Sequence, residues 1–256
     1  MPSLLPMFAY LHRWSRHLAA RLPAAIPSSC ALCGSSGEDG ICDGCRQQFL
    51  GTPGQRCSRC AVCLPGTAAA ATGLCGACLR EPPAFDATIA AADYAPPVDQ
   101  LVLALKFGGR LALAPLLARM LRDATLRMRH GDMALPTLLT AVPLGPQRLA
   151  ERGFNQALEI AKPLSYTLGI QLAPHLLVRL RDTRAQSLLH PAERHENIRR
   201  AFIVPNEAID NVRGRHIGVV DDVVTTGETL HEIAATLKRF GAVRVTNFVF
   251  ARTLPK

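Results

Sequence analysis

The sequence predicts an α/β protein, a mostly parallel sheet flanked by helices and preceded by a small cysteine-rich module. Three features carry that reading. From about residue 85, short β-branched apolar runs alternate with amphipathic stretches of helical period, the order that builds parallel βαβ sheets. All nine cysteines fall between residues 30 and 78, and eight of them form four Cys-x-x-Cys pairs. The segment His216-Ile-Gly-Val-Val-Asp-Asp-Val-Val-Thr-Thr-Gly-Glu-Thr229 reads as a strand, a turn and a helix start, with Asp, Thr and Gly gathered at the turn.

The chain has 256 residues, 48% of them hydrophobic, enough for one good-sized domain with a small attachment. Three segments are expected: 1–29, 30–80 and 81–256. In the first, Leu4, Phe8, Leu11, Leu18 and Leu22 recur at helical spacing with Arg and His on the other side. That pattern suits a docking helix or a basic amphipathic helix lying on a membrane surface. No run approaches the roughly 18 uninterrupted apolar residues of a membrane-spanning helix. Arg13, Arg16, His17 and Arg21 interrupt any secretory core, so a soluble cytoplasmic protein is expected.

In segment 30–80 the pairs are Cys30/Cys33, Cys42/Cys45, Cys57/Cys60 and Cys75/Cys78. Two intervening residues let one tight turn present both thiolates to one ion at about 2.3 Å, and two such turns close a tetrahedral zinc site. Gly34 and Gly76 suit the tight backbone of such knuckles. Gaps of eight, eleven and fourteen residues between pairs allow sequential or interleaved sites, and shorter loops favour the sequential choice. Cys63 leaves open a shifted Cys60/Cys63 pair. A disulfide framework is the rival, disfavoured in a reducing compartment. A closed four-thiolate site has no open position for a water, so it builds structure; the segment's few apolar side chains leave the folding free energy to the metal.

The formal charge of +9 invites a nucleic-acid reading. Residues 1–80 hold seven Arg and three acidic residues, a local +4, but eight thiolates (−8) and two zinc ions (+4) bring that to about zero. The +5 that remains on residues 81–256 suits phosphorylated small substrates. Phe49, the one aromatic residue of segment 30–80, offers little stacking surface for bases.

In the α/β segment, strands are predicted over 87–94, 138–142, 217–220 and 243–251, and helices over 98–107, 111–129, 156–168 and 229–240. Asp221 and Asp222 follow where the buried strand Ile217-Gly-Val-Val should end, at the carboxyl edge where α/β sheets bind ligands. Thr225, Thr226, Gly227 and Thr229 then open a helix. A phosphate there meets unpaired backbone NH groups, the positive end of the helix dipole and three hydroxyls, and Gly227 allows a close approach. Two ionised Asp side chains are acceptors suited to the 2′ and 3′ hydroxyls of a ribose whose 5′-phosphate sits in the turn. Neither a P-loop GxxxxGK[ST] nor a Rossmann GxGxxG is present. A plain N-capped helix would leave the double Asp unexplained.

Residues 219–229 resemble the ribose-phosphate signature of the type I phosphoribosyltransferases. With the cysteine pairs ahead of it, the chain over 30–252 resembles the ComF family of competence-associated proteins. Further family-like stretches are Leu105-Lys-Phe-Gly-Gly, Val142-Pro-Leu through Arg148 to Arg152-Gly-Phe-Asn-Gln156, and 179–202 with Gln186, Arg194 and Asn197. Stretches 143–156 and 179–197 are also similar to amidophosphoribosyltransferase, without the cysteine beside the initiator that its glutaminase half needs.

The resemblance implies a type I phosphoribosyltransferase-like sheet that binds phosphoribosyl pyrophosphate with Mg²⁺, and a link to natural competence, DNA uptake or DNA utilisation. On physical grounds Arg148 and Arg152 suit the pyrophosphate leaving group, Lys106 is placed to reach the same anion, and Arg194 suits a hood over the site. Glu228 departs from related loops, which carry a small residue there. Three functions follow: a transferase acting on an unidentified nucleophile, a phosphoribosyl-binding accessory protein without turnover, and a single-stranded-DNA adaptor that partners an uptake helicase.

Overall fold

A computed structural model describes residues 28–37, 40–50, 54–64, 72–128, 134–180 and 201–254. The expected helix from Leu4 to Leu22 and the residues Gln186, Arg194 and Asn197 lie outside the described residues. The chain forms two compact units, Met1–Gly51 and Thr52–Lys256. The division falls between the two halves of the cysteine-rich segment, whereas the sequence suggested a boundary after residue 80.

In the first unit, β1 (Ser28–Ser29) pairs antiparallel with β2 (Ser36–Gly37), and α1 (Asp43–Leu50) follows. Its buried apolar side chains among the described residues are Cys30, Ile41, Cys45 and Leu50. That is too little for a hydrophobic core, and two of the four are cysteines.

The second unit begins with a cysteine knuckle that ends in α2 (Gly76–Arg80). A parallel sheet follows, built from β3 (Ala87–Asp93), β4 (Leu138–Ala141), β5 (Gln171–Leu172), β8 (His216–Val224) and β9 (Arg244–Arg252), in the order β3-β9-β8-β4-β5. Between β5 and β8, a small antiparallel pair is formed by β6 (Val178–Arg179) and β7 (Phe202–Ile203). The helices are α3 (Asp99–Lys106), α4 (Ala114–Met128), α5 (Pro146–Arg152), α6 (Gln156–Leu168), the short α7 (Ile209–Val212) and α8 (Glu228–Arg239). Helices α4 and α6 pack on each other; α4 lies against β3, α6 against β4 and β8, and α8 against β9. Strands β3, β4 and β9 are buried on both faces, so they read as continuous runs rather than alternating ones.

Two predictions need adjusting. Residues 111–113 form a 3-10 turn, and α4 starts at Ala114. Strand β8 does not end at Val220 but runs through both Asp residues to Val224. The reason lies in its neighbours: β4 stops opposite Val220, while β9 goes on pairing with Asp221, Val223 and Val224. The Asp pair therefore sits where β8 has lost one neighbour and kept the other. Helix α5 was not predicted at all.

Candidate functional site

Each cysteine cluster is assembled by tight turns. In the first, the Gly34 NH donates to the Cys30 carbonyl at 2.9 Å, with Gly34 at φ +78. In the second, the Ala61 NH donates to the Cys57 carbonyl at 2.8 Å, with Ala61 at φ +60. The sulfurs of Cys30, Cys33, Cys42 and Cys45 all lie within 4.8 Å of one another, as do those of Cys57, Cys60, Cys75 and Cys78. Pairing is thus sequential, and Cys63 belongs to neither cluster.

The donor sets fit a tetrahedral ion. Four sulfurs at the Zn–S distance sit about 3.8 Å apart; Cys33 and Cys42 are separated by 3.6 Å, and so are Cys60 and Cys75. Burial and the neighbouring thiols of Cys33, Cys42 and Cys30 push Cys45 up to about 12, and burial with its cysteine neighbours raises Cys78 as well. Cys30 is drawn down to about 6: burial opposes ionisation, but hydrogen bonds at the backbone of Cys42, Cys33 and Leu32 outweigh it. Four crowded thiols cannot all ionise without a compensating cation, which is the charge a metal supplies. Both clusters can hold metal ions.

At the sheet edge, the Asp222 NH donates to Asp221 Oδ1 at 2.8 Å and the Val223 NH to Asp222 Oδ1 at 2.7 Å. Asp222 is 2% exposed. Its Oδ2 has no hydrogen-bond partner but forms an ion pair with Lys106 Nζ at 2.8 Å, a charge contact without hydrogen-bond alignment. Burial and the adjacent Asp222 push Asp221 up to about 8, with Lys106 pulling the other way. Lys106 reaches this pair from the C-terminal end of α3.

Beyond β8 the chain turns through Thr225 and Thr226 to Gly227, which precedes α8 at φ +91. The Glu228 NH points at Thr226 Oγ1 at 3.5 Å, and Thr229 lies in the first turn of α8. Glu228 occupies the first position of α8, where the dipole favours a carboxylate.

Lys106, Arg148 and Arg152 meet in a cleft of about 350 Å³, together with Phe107, Gly109, Glu151 and Phe154. Arg148 and Arg152 are one turn apart on α5. Arg152 lies over the Phe107 ring at 5.5 Å and donates to Gln156 Oε1 at 2.6 Å. The corner after α5 is fixed by Gly153 at φ +77 and by Asn155. The Asn155 side chain accepts from the Ala157 and Leu158 NH groups and donates to the Val142 carbonyl at 2.9 Å, which ties the cap of α6 to the end of β4. The three cations that the sequence nominated for one anion are brought to one cleft, and Lys106 links that cleft to Asp222.

Sequence reasoning missed Arg252. From the end of β9 its Nη1 donates to the Val224 carbonyl at 3.1 Å and to the Thr225 carbonyl, holding the turn from behind. No motif marks it, because its partners lie 27 and 28 residues away. Also unforeseen is a second cavity of about 550 Å³, whose lining includes Cys60, Cys75 and Cys78 as well as Thr226, Gly227 and Glu228.

The C-terminal region matches the family described as Phosphoribosyl transferase domain over residues 155–254, a stretch that contains β8, the Thr-Thr-Gly turn and α8. By family this part of the chain is a phosphoribosyltransferase-type domain. Over 233 residues the chain is 37% identical to the DNA utilization protein YhgH of Escherichia coli K12, covering 90% of this chain and 99% of that protein. It is 31% identical over 219 residues to Competence protein F of Haemophilus influenzae, covering 84% of this chain and 91% of the other. The chain belongs to the ComF family, the family of these competence and DNA-utilisation proteins. Among solved structures, the glutamine phosphoribosylpyrophosphate amidotransferase of B. subtilis aligns with 54% of this chain and 26% of its own, at 19% identity and a TM-score of 0.35. Among the described residues no helix is long and apolar enough to cross a membrane.

Proposed function

We propose that the second unit binds 5-phosphoribosyl pyrophosphate with Mg²⁺ and transfers the phosphoribosyl group to a nucleophile. The observation that carries this reading is the Lys106–Asp222 ion pair at 2.8 Å. One side chain touches Asp222, one of the two carboxylates suited to a ribose, and lines the cationic cleft suited to a pyrophosphate, and in the proposed substrate the pyrophosphate is bonded to C1′ of that ribose.

The 5′-phosphate lies against Thr225, Thr226, Gly227 and Thr229, where α8 opens with unpaired NH groups. Asp221 and Asp222 accept the 2′ and 3′ hydroxyls. Lys106, Arg148 and Arg152 hold the pyrophosphate, and the two guanidinium groups suit bidentate contact with its oxygens. When bound with the substrate, Mg²⁺ supplies further neutralisation of the leaving charge. The bond from C1′ to the pyrophosphate oxygen breaks with its electron pair leaving on that oxygen. The nucleophile then bonds to C1′ and releases its proton. Catalysis by these residues is positioning and charge stabilisation. The two cysteine clusters hold structural zinc. The relatives' names support a role in competence or DNA utilisation, and we place that proposed role in the cytoplasm.

Glu228 supports a second reading, an adaptor that binds phosphoribosyl compounds or single-stranded DNA beside an uptake helicase and performs no turnover, because a carboxylate next to a phosphate weakens its hold on the substrate. Calorimetric titration of phosphoribosyl pyrophosphate with Mg²⁺ into wild type and into Asp221→Asn/Asp222→Asn tests the substrate. Saturable binding to wild type, weakened at least tenfold in the double variant, is expected; absence of binding to wild type defeats the proposal. Release of pyrophosphate with an added acceptor separates the transferase from the adaptor.

A further inference from the structure

We propose that metal in the second four-cysteine site orders the phosphate loop, so that this knuckle is a positioning element of the ribose-phosphate site. The inference rests on the reading of residues 225–229 as that loop.

The knuckle is fastened to the sheet at its base. Arg56 forms an ion pair with Asp93, the last residue of β3, at 3.0 Å, and the same Nη1 donates to the Ala61 carbonyl at 3.0 Å. Cys63, the odd cysteine, points its thiol at the same Asp93 carboxylate, with Sγ and Oδ1 3.8 Å apart. The Thr88 NH of β3 donates to the Ser58 carbonyl at 3.3 Å, inside the first turn of the knuckle.

From the far end of the knuckle, residues 81–86 run onto α8. The Ala84 NH donates to His231 Nδ1 at 3.2 Å. Asp86 receives Lys238 Nζ at 2.8 Å and the Val245 NH at 2.8 Å. Between these two anchors Phe85 is 4% exposed, and its ring edge comes within 3.9 Å of the point where Gly227 would carry a Cβ. The linker that leaves the second metal site is thus buttressed against the glycine of the phosphate loop.

Phe85 and Gly227 both line the 550 Å³ cavity, whose lining also includes Cys60, Cys75 and Cys78, His231 and Arg252. Arg252 also holds the Val224 and Thr225 carbonyls, so one cavity joins the thiols to both supports of the loop. Residues 54–64 and 72–80 contribute only Cys57, Ala61 and Cys78 to the buried apolar set among the described residues. A fragment this poor in core depends on its ion for folding free energy. Losing the ion frees the linker, and with it the Phe85 contact and the Ala84–His231 hydrogen bond.

The test is hydrogen–deuterium exchange on the full chain, zinc-loaded, in wild type and in Cys75→Ser and His231→Ala, with zinc content measured in parallel. Cys75→Ser is expected to lose one zinc per chain, and the amides of residues 225–231 to exchange at least tenfold faster while those of β4 and β9 keep their wild-type rates. His231→Ala, which retains all eight ligands, is expected to keep both ions and still speed exchange across 225–231. Wild-type exchange at the loop in a Cys75→Ser protein that has lost one ion overturns the proposal. If Cys75→Ser also exposes β9, wild-type loop exchange in His231→Ala overturns it instead. None of these readings needs substrate, so a failure to bind phosphoribosyl pyrophosphate defeats the substrate assignment and leaves this result standing on its own.

Discussion

The two four-cysteine sites share a donor set, a sulfur spacing and a turn, yet they sit in different structural settings. The first lies in a small unit of its own, where its thiols are half of the buried apolar side chains among the described residues. The second belongs to the sheet-bearing unit, tied down by Arg56 and Asp93 at one end and by Asp86, His231 and Lys238 at the other. Ligand chemistry alone makes the pair look redundant. The long-range partners of the second site, Asp93 on β3 and His231 and Lys238 on α8, are what suit it to the proposed role of shaping a neighbouring loop.

Acidity sharpens this contrast, and it carries the larger expected effect. Protons compete with metal for thiolates in both clusters, so acidification below neutrality releases metal from the two alike. Substrate binding as proposed would follow a different group. Asp221 is raised to about 8 by burial and by Asp222, so in the folded protein it is mostly protonated at pH 7 and ionised at pH 9, and only the ionised form is a full acceptor for ribose hydroxyls. Affinity for phosphoribosyl pyrophosphate is therefore expected to rise up to about tenfold between pH 7 and 9 and then level off. Asp221→Asn should flatten that profile in a calorimetric pH series. A rise that persists in Asp221→Asn would assign the ionisation elsewhere.

The smaller effect compares the turns themselves. Gly34 and Ala61 stand one residue after the second cysteine of their knuckles, both at positive φ. An alanine there costs about 1 kcal/mol relative to glycine, roughly fivefold in an equilibrium constant. Gly34→Ala should weaken metal retention at the first site by that factor, and Ala61→Gly should strengthen it at the second. Chelator competition read by peptide-resolved mass spectrometry distinguishes the two sites, and a change of the same sign in both would break the parallel between the turns.

Local chemistry was legible in the sequence and distant pairing was not. The Cys-x-x-Cys spacings and loop lengths pointed to the observed sequential clusters, because each turn is built from a few adjacent residues. Asp221, Asp222 and the Thr-Thr-Gly turn were readable for the same reason, since strand, turn and helix start follow one another along the chain. The length of β8 was not readable: whether Asp221 still pairs depends on where β4 and β9 end, strands some 80 residues before it and some 20 after. Arg148 and Arg152 were nominated as charges without the helix that aligns them, because α5 is only two turns long and buries no side chain. Cys63 stood out only as an odd cysteine, and the tie of Arg56 and Cys63 to Asp93 gave no signal. Their relation spans 30 or more residues and appears only once the knuckle is folded onto β3.

Linkage between the second metal site and the phosphate loop must be reciprocal: if metal favours substrate, substrate favours metal by the same factor. The most direct test is therefore made on wild-type protein, by following thiol labelling of each cysteine during zinc ejection with and without saturating phosphoribosyl pyrophosphate and Mg²⁺. The account predicts that substrate slows labelling of Cys57, Cys60, Cys75 and Cys78 and leaves Cys30, Cys33, Cys42 and Cys45 at their original rates. Equal rates at the second cluster with and without bound substrate, or equal protection of both clusters, would contradict it.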